Sequence, residues 1–103
     1  MTGASSAVQL DWSGRATVTR GIRVPFVTRP TAAWHNMFEH VRVRNTSGVG
    51  RLPAGVWVNA STDAGLLITL ESGVDIERLR TAVDELIAEA NTMTARFTRT
   101  THH

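Results

Sequence analysis

The stretch DIERLRTAVDELIAEA, residues 75–90, constrains this chain more than any other. Ile76, Leu79, Val83, Leu86, Ile87 and Ala90 recur at spacings of three and four, and the charged residues fall between them. Such a segment is a helix with one apolar stripe, and the stripe must be covered by another part of the chain. Asp75 is placed to cap its first turn, and Val74 can pack against Leu79 as a hydrophobic staple. Two short β-branched runs precede the helix, VWVN at 56–59 and LLITLE at 66–71, with turn-forming residues from Ser61 to Gly65 between them. The spacing predicts a hairpin that leads into the helix.

Upstream, apolar residues take the even positions: Val8, Leu10 and Trp12, then Ala16 and Val18, then Ile22, Val24 and Phe26. This alternation predicts strands on either side of a turn at Ser13-Gly14, with a bulge at Gly21 and the end of pairing at Pro25. Pro30 opens a second helical pattern in which Ala33, Trp34, Met37, Phe38 and Val41 share a face, although residues 38–44 also alternate as a strand would. The threonine-rich run 92–100 alternates and predicts a last, weak strand or a frayed tail. In order, these elements predict an α+β domain: a small antiparallel sheet with two helices on one face, in the ferredoxin-like (split βαβ) arrangement, with an extra N-terminal strand. One domain over residues 8–100 accounts for the length, leaving short tails at 1–7 and 101–103.

With 42% apolar and 19% charged residues the chain has the composition of an ordinary globular protein, and no apolar run approaches the roughly 20 residues of a membrane span. There is no cysteine, and the N-terminus lacks a secretory pattern, so a cytoplasmic location is expected. A pI of 11.0 suggests a nucleic-acid partner, but lysine, tyrosine and cysteine are all missing. With so few groups titrating above neutrality, a net charge of +2 is enough to raise the pI that far. The distribution says more. Residues 1–62 hold seven arginines against two carboxylates (+5), and residues 63–103 hold four against seven (−3).

Chemistry is sparse. His35 and Glu39 lie four apart, on the helix face opposite the Trp34 stripe, and form the only acid–base candidate; His40 lies on another side of the helix. HNMFEH matches neither HExxH nor HxxEH, so no metal is expected. The loop Asn45 to Arg51 is glycine-rich but lacks the GK[ST] ending of a phosphate loop, and no cofactor is expected. Strand parity points elsewhere. If Val18, Ile22, Val24, Val56 and Val58 face the helices, then Thr17, Thr19, Arg23, Trp57 and Asn59 face outward, with Leu67, Thr69, Arg96 and Thr98 beside them. Arg23, Trp57, Asn59 and Arg96 are therefore the candidate binding residues. The expectation is a non-catalytic interaction protein whose partner is itself, as a homo-oligomer through the open sheet face, or another protein. The alternatives are a nucleic-acid-binding module built on the arginine-rich half, or a small ligand-binding enzyme using His35 and Glu39.

Overall fold

The computed structural model describes residues 7–14, 16–18, 21–46, 48–59 and 65–100. After a 3-10 turn at Trp12–Gly14 come strand β1 (Ala16–Val18), strand β2 (Gly21–Pro25), helix α1 (Ala32–Arg44), strand β3 (Val56–Val58), strand β4 (Gly65–Leu70) and helix α2 (Ile76–Thr100). The four strands form one sheet in the order β1-β2-β4-β3, with every neighbouring pair antiparallel. β2 and β3, joined through α1, are thus parallel to each other, with β4 between them. The protein is α+β, with an antiparallel sheet and two helices packed together.

Period-two burial sets the inner face of the sheet. Ile22, Val24, Val56, Val58, Leu66 and Ile68 are buried, and they share a single core with Trp34, Phe38 and Val41 of α1 and with Leu79, Val83, Leu86, Ile87 and Ala90 of α2. Trp34 stacks on Phe38 at 5.0 Å and meets Phe26 edge-on at 5.4 Å. Both helices are capped, α2 by Asp75 as expected and α1 by Thr31, which the sequence pattern did not single out. The Thr31 hydroxyl accepts from the Trp34 N–H at 3.1 Å, and the Asp75 carboxylate accepts from the Glu77 N–H at 3.0 Å. Residues 38–44 are helical, which resolves their ambiguity. Gly65 must be glycine, because a Cβ there would lie 2.7 Å from the Cα of Pro25 and closer still to the Val24 carbonyl oxygen.

Three expectations need correction. Residues 8–12 are not a strand: only Leu10 bridges Phe26, and the chain turns at Trp12. The cause is Asp11, whose carboxylate accepts from the Ser13 and Gly14 N–H groups and from the Ser13 hydroxyl, competing with ladder bonds. The hairpin is formed instead by β1 and β2, with Val18 opposite Gly21 and Thr17 opposite Ile22. The turn at 13–14 does not join paired strands, so it cannot set their register; Gly21 lies in a regular ladder, not a bulge. Finally, residues 92–100 are the end of α2 and not a strand. Met93 continues the core stripe one turn beyond Ala90, and the Thr92 and Thr94 hydroxyls donate to the carbonyls of Ala88 and Ala90 at 3.1 and 2.8 Å, so threonine is accommodated in the helix.

The sheet edge beside β2 is filled by the N-terminal strap. Asp11 N–H donates to the Pro25 carbonyl at 2.8 Å and Val27 N–H to the Gln9 carbonyl at 2.9 Å. The side chain of Asn91 on α2 grips Val8 at both its N–H (2.9 Å) and its C=O (3.0 Å) and also accepts from the Trp34 indole N–H at 2.9 Å. Trp12 donates its indole N–H to Asp84 at 2.8 Å, with the Arg80 guanidinium 6.0 Å from the ring centroid. The expected tails at 1–7 and 101–103 fall outside the described residues except for Ala7. No helix is long and apolar enough to cross a membrane among the described residues.

Candidate functional site

The sheet face turned away from the helices is built by the same parity that fills the core. Arg23 lies opposite Leu67, and Trp57 lies opposite Thr69, so all four side chains project from the outer face. Just past the ladder Glu71 N–H donates to the Gly55 carbonyl at 2.9 Å, and Glu71 lines a shallow groove with Pro53, Val74, Asp75 and Arg78 at the start of α2. Trp57 is 40% exposed and Leu67 37%, whereas Trp34 and Trp12 are buried. Two large apolar side chains are thus held in solvent on the outer face of β3 and β4, with the Arg23 cation on the neighbouring strand opposite Leu67. Among the described residues neither the Arg23 guanidinium nor the Glu71 carboxylate has an ion-pair or hydrogen-bond partner.

Of the residues singled out in the sequence, Arg23, Trp57 and Asn59 come together on or beside this face, and Arg96 does not. Arg96 lies near the end of α2, because the segment expected to be a strand is helical. Asn59 serves the sheet itself: its amide donates to the Leu67 carbonyl at 3.1 Å and to the Thr69 hydroxyl at 3.0 Å, pinning the exit of β3. Thr19 lies outside the described residues, and nothing is described of the side chains of Thr17 and Thr98.

The His35 and Glu39 pair takes a different form from the one expected. Glu39 is bound by Arg42 three residues on, through both guanidinium Nε and Nη2, and the Arg42 hydrogen bond holds its carboxyl below the usual carboxylate range. His35 packs its ring edge-on against Trp34 at 5.5 Å and lies 6.2 Å from Phe26. Among the described residues no three histidine or carboxylate side chains converge to hold a metal ion; Asp63, His102 and His103 lie outside them. The loop after α1 spends its groups internally. Asn45, buried, donates its amide to the Val41 carbonyl at 2.8 Å and accepts the Arg51 N–H at 2.8 Å, and Val49 N–H donates to Thr46. The Val49 and Arg51 amides, bonded in this way, are not free to cradle a phosphate. An open groove of about 450 Å³ between this loop and α2 carries Arg51 and Arg78 against Glu77 and Glu85, and Arg51 is taken up by Glu89 at 2.9 Å, so the groove favours neither sign of ligand.

Comparison with protein-family models, with characterised proteins and with solved structures finds no match for this chain.

Proposed function

We propose that this chain is a small interaction protein that acts by binding, not by catalysis, and associates with a second copy of itself through the open face of its sheet. The observation that carries this proposal is the exposure of Trp57 and Leu67, side by side on a face that neither helix covers. Tryptophan and arginine are the residues most enriched at interface hot spots, and a well-packed indole removed from water is typically worth about 2 kcal/mol or more when truncated. The absence of cysteine fits a reducing cytoplasm. The arrangement suits a ferredoxin-like variant: the β2–α1–β3 unit with β4 inserted, followed by α2, supports that assignment, and β1 and the strap occupy the edge that a last strand would take.

Arg23 beside Trp57 favours one second function, a single-stranded nucleic-acid platform. Sedimentation separates the two. Self-association predicts a wild-type dimer in the micromolar range that Trp57→Ala turns monomeric. A nucleic-acid platform predicts a monomer whose oligonucleotide binding weakens steeply with salt, with Arg23→Ala lowering the slope by about one unit. An enzyme using His35 or Glu39 predicts neither result, and a monomer that binds no oligonucleotide removes both interaction functions.

A further inference from the structure

We infer that the open sheet face closes on a second copy through two reciprocal cation–π contacts: in the dimer, the Arg23 guanidinium of each copy lies over the Trp57 indole of the other. The inference rests on the self-association proposed above and adds the partner's orientation and its specificity. Three observations lead to it. Arg23 and Trp57 stand on the two strands that flank β4, and both project from the outer face, because Arg23 is opposite Leu67 and Trp57 is opposite Thr69, two residues further along β4. Both side chains are exposed. Arg23 has no hydrogen-bond or ion-pair partner among the described residues, whereas Arg42, Arg44, Arg51 and Arg80 are all engaged by carboxylates of their own chain. Within one copy the two residues stand apart, their Cα atoms separated by about 10 Å across the strands and about 7 Å along them.

A two-fold interface sets one residue against a second and the second against the first, so one cation and one indole on the face become two contacts in the dimer. The register decides which axis allows this. An axis along β4 sets Trp57 over the partner's Gly21, which is buried and has no side chain to stack on, and sets Arg23 over the partner's Asn59, whose amide already serves its own sheet. An axis across the strands, between the Leu67 and Thr69 rows, exchanges those two mismatches. An axis along the Arg23–Trp57 diagonal drives Arg23 against Arg23. The axis across that diagonal, passing through β4 between Leu67 and Thr69, lays Arg23 over Trp57 twice and brings the two copies of Leu67 together beside it. The strands of the two sheets then cross at roughly 70°, close to the orthogonal class of sheet packing. Sheets stack about 10 Å apart, and an arginine and an indole reaching toward each other across that gap bring the cation within about 6 Å of the ring. A second copy is a better occupant than a nucleic-acid strand, which needs a row of cations and successive aromatic faces. Among the described residues the register places one cation, Arg23, and one aromatic, Trp57, on this face. The area agrees. Four strands with ladders of about five residues present roughly 20 by 17 Å, so the total buried lies below about 1,200 Å², the range of weak and transient association.

Mixing two single variants tests the pairing. Arg23→Ala and Trp57→Leu each remove both contacts from their own homodimer, and leucine keeps apolar bulk at position 57 so that the weakened dimer stays measurable. Each alone should weaken self-association by at least about 5-fold in fluorescence-detected sedimentation. Mixed, with one variant labelled, they form a heterodimer in which the intact Arg23 of one copy meets the intact Trp57 of the other. After the statistical factor of two, that heterodimer should be tighter than the geometric mean of the two homodimers by about 3-fold or more, whereas residues that act independently give no excess. Both positions are on the outer face, and circular dichroism verifies that each variant is folded. If wild type dimerises, Trp57→Ala dissociates it and the mixture shows no excess, the cation–π pairing is overturned while sheet-face association stands. If wild type dimerises and Trp57→Ala leaves the dimer intact, or if wild type is monomeric at every concentration, whether or not it binds an oligonucleotide, both fail together.

Discussion

Replacing Asn91 by alanine should release the N-terminal strap and cost about 2–4 kcal/mol. The Asn91 amide makes three hydrogen bonds: it accepts from the Val8 N–H and the Trp34 indole, and donates to the Val8 carbonyl, all between 2.9 and 3.0 Å. Each net bond is worth about 0.5–1.5 kcal/mol, and a buried donor left without an acceptor costs about 1–3 kcal/mol. Val8 and Trp34 are both buried, at 5% and 1% exposure, so the stranded Val8 N–H and indole N–H cannot turn to water without moving the strap. For a chain of this size the loss corresponds to a melting temperature lower by roughly 10 °C or more. Urea and thermal unfolding followed by circular dichroism measure it, and amide exchange at Val8 and Asp11 reports whether the strap detaches before global unfolding. Thr92→Ala, at the exposed neighbouring position, should stay within about 0.5 kcal/mol of wild type. If Asn91→Ala does the same, the strap is held by something other than this amide, and the closure of the β2 edge needs another explanation.

Leu86→Ala empties a fully buried position in the α2 stripe and should cost about 2–5 kcal/mol in the urea midpoint. Gly65→Ala drives a methyl into the β2 backbone and should destabilise by about 1–3 kcal/mol, with lost protection of β2 and β4 amides in hydrogen exchange. Glu39, whose carboxyl is held below its usual value by the Arg42 hydrogen bond, contributes stability that is present above the carboxylate's ordinary titration near pH 4 and is lost as the pH falls through its lower folded value. Because the pair is about half-exposed, Glu39→Gln should remove less than about 0.5 kcal/mol at neutral pH and flatten the acid limb of the stability profile by the same small amount.

The elements that were legible in the sequence are those whose period is decided by burial. The α2 stripe from Ile76 to Ala90, the α1 stripe from Trp34 to Val41 and the inward parity of Val56, Val58, Leu66 and Ile68 all follow from apolar spacing, because the core leaves no other arrangement. What was missed depends on single polar side chains. Asp11 turns the chain where alternation predicts a strand, and the hairpin therefore forms between β1 and β2, beyond the turn at 13–14. Residues 92–100 alternate and also recur at Met93 and Phe97, a four-residue step, and the packing of Met93 decides in favour of the helix. Asn91 left a trace: it stands four residues after Ile87, a polar group near the core-side face where an apolar one is expected. On the outer face, Arg23 and Trp57 came from parity alone.

Trp57 is the one tryptophan of the three that is exposed in the single chain, at 40% against 9% for Trp12 and 1% for Trp34. Acrylamide quenching of intrinsic fluorescence across a dilution series therefore reads the sheet face without any substitution. Association through that face predicts a quenchable fraction that is present in dilute protein and disappears with rising concentration, along the same isotherm as the sedimentation-derived dimer. A quenchable tryptophan that persists at every concentration, in a protein that sediments as a dimer, would place the interface elsewhere and contradict the central claim.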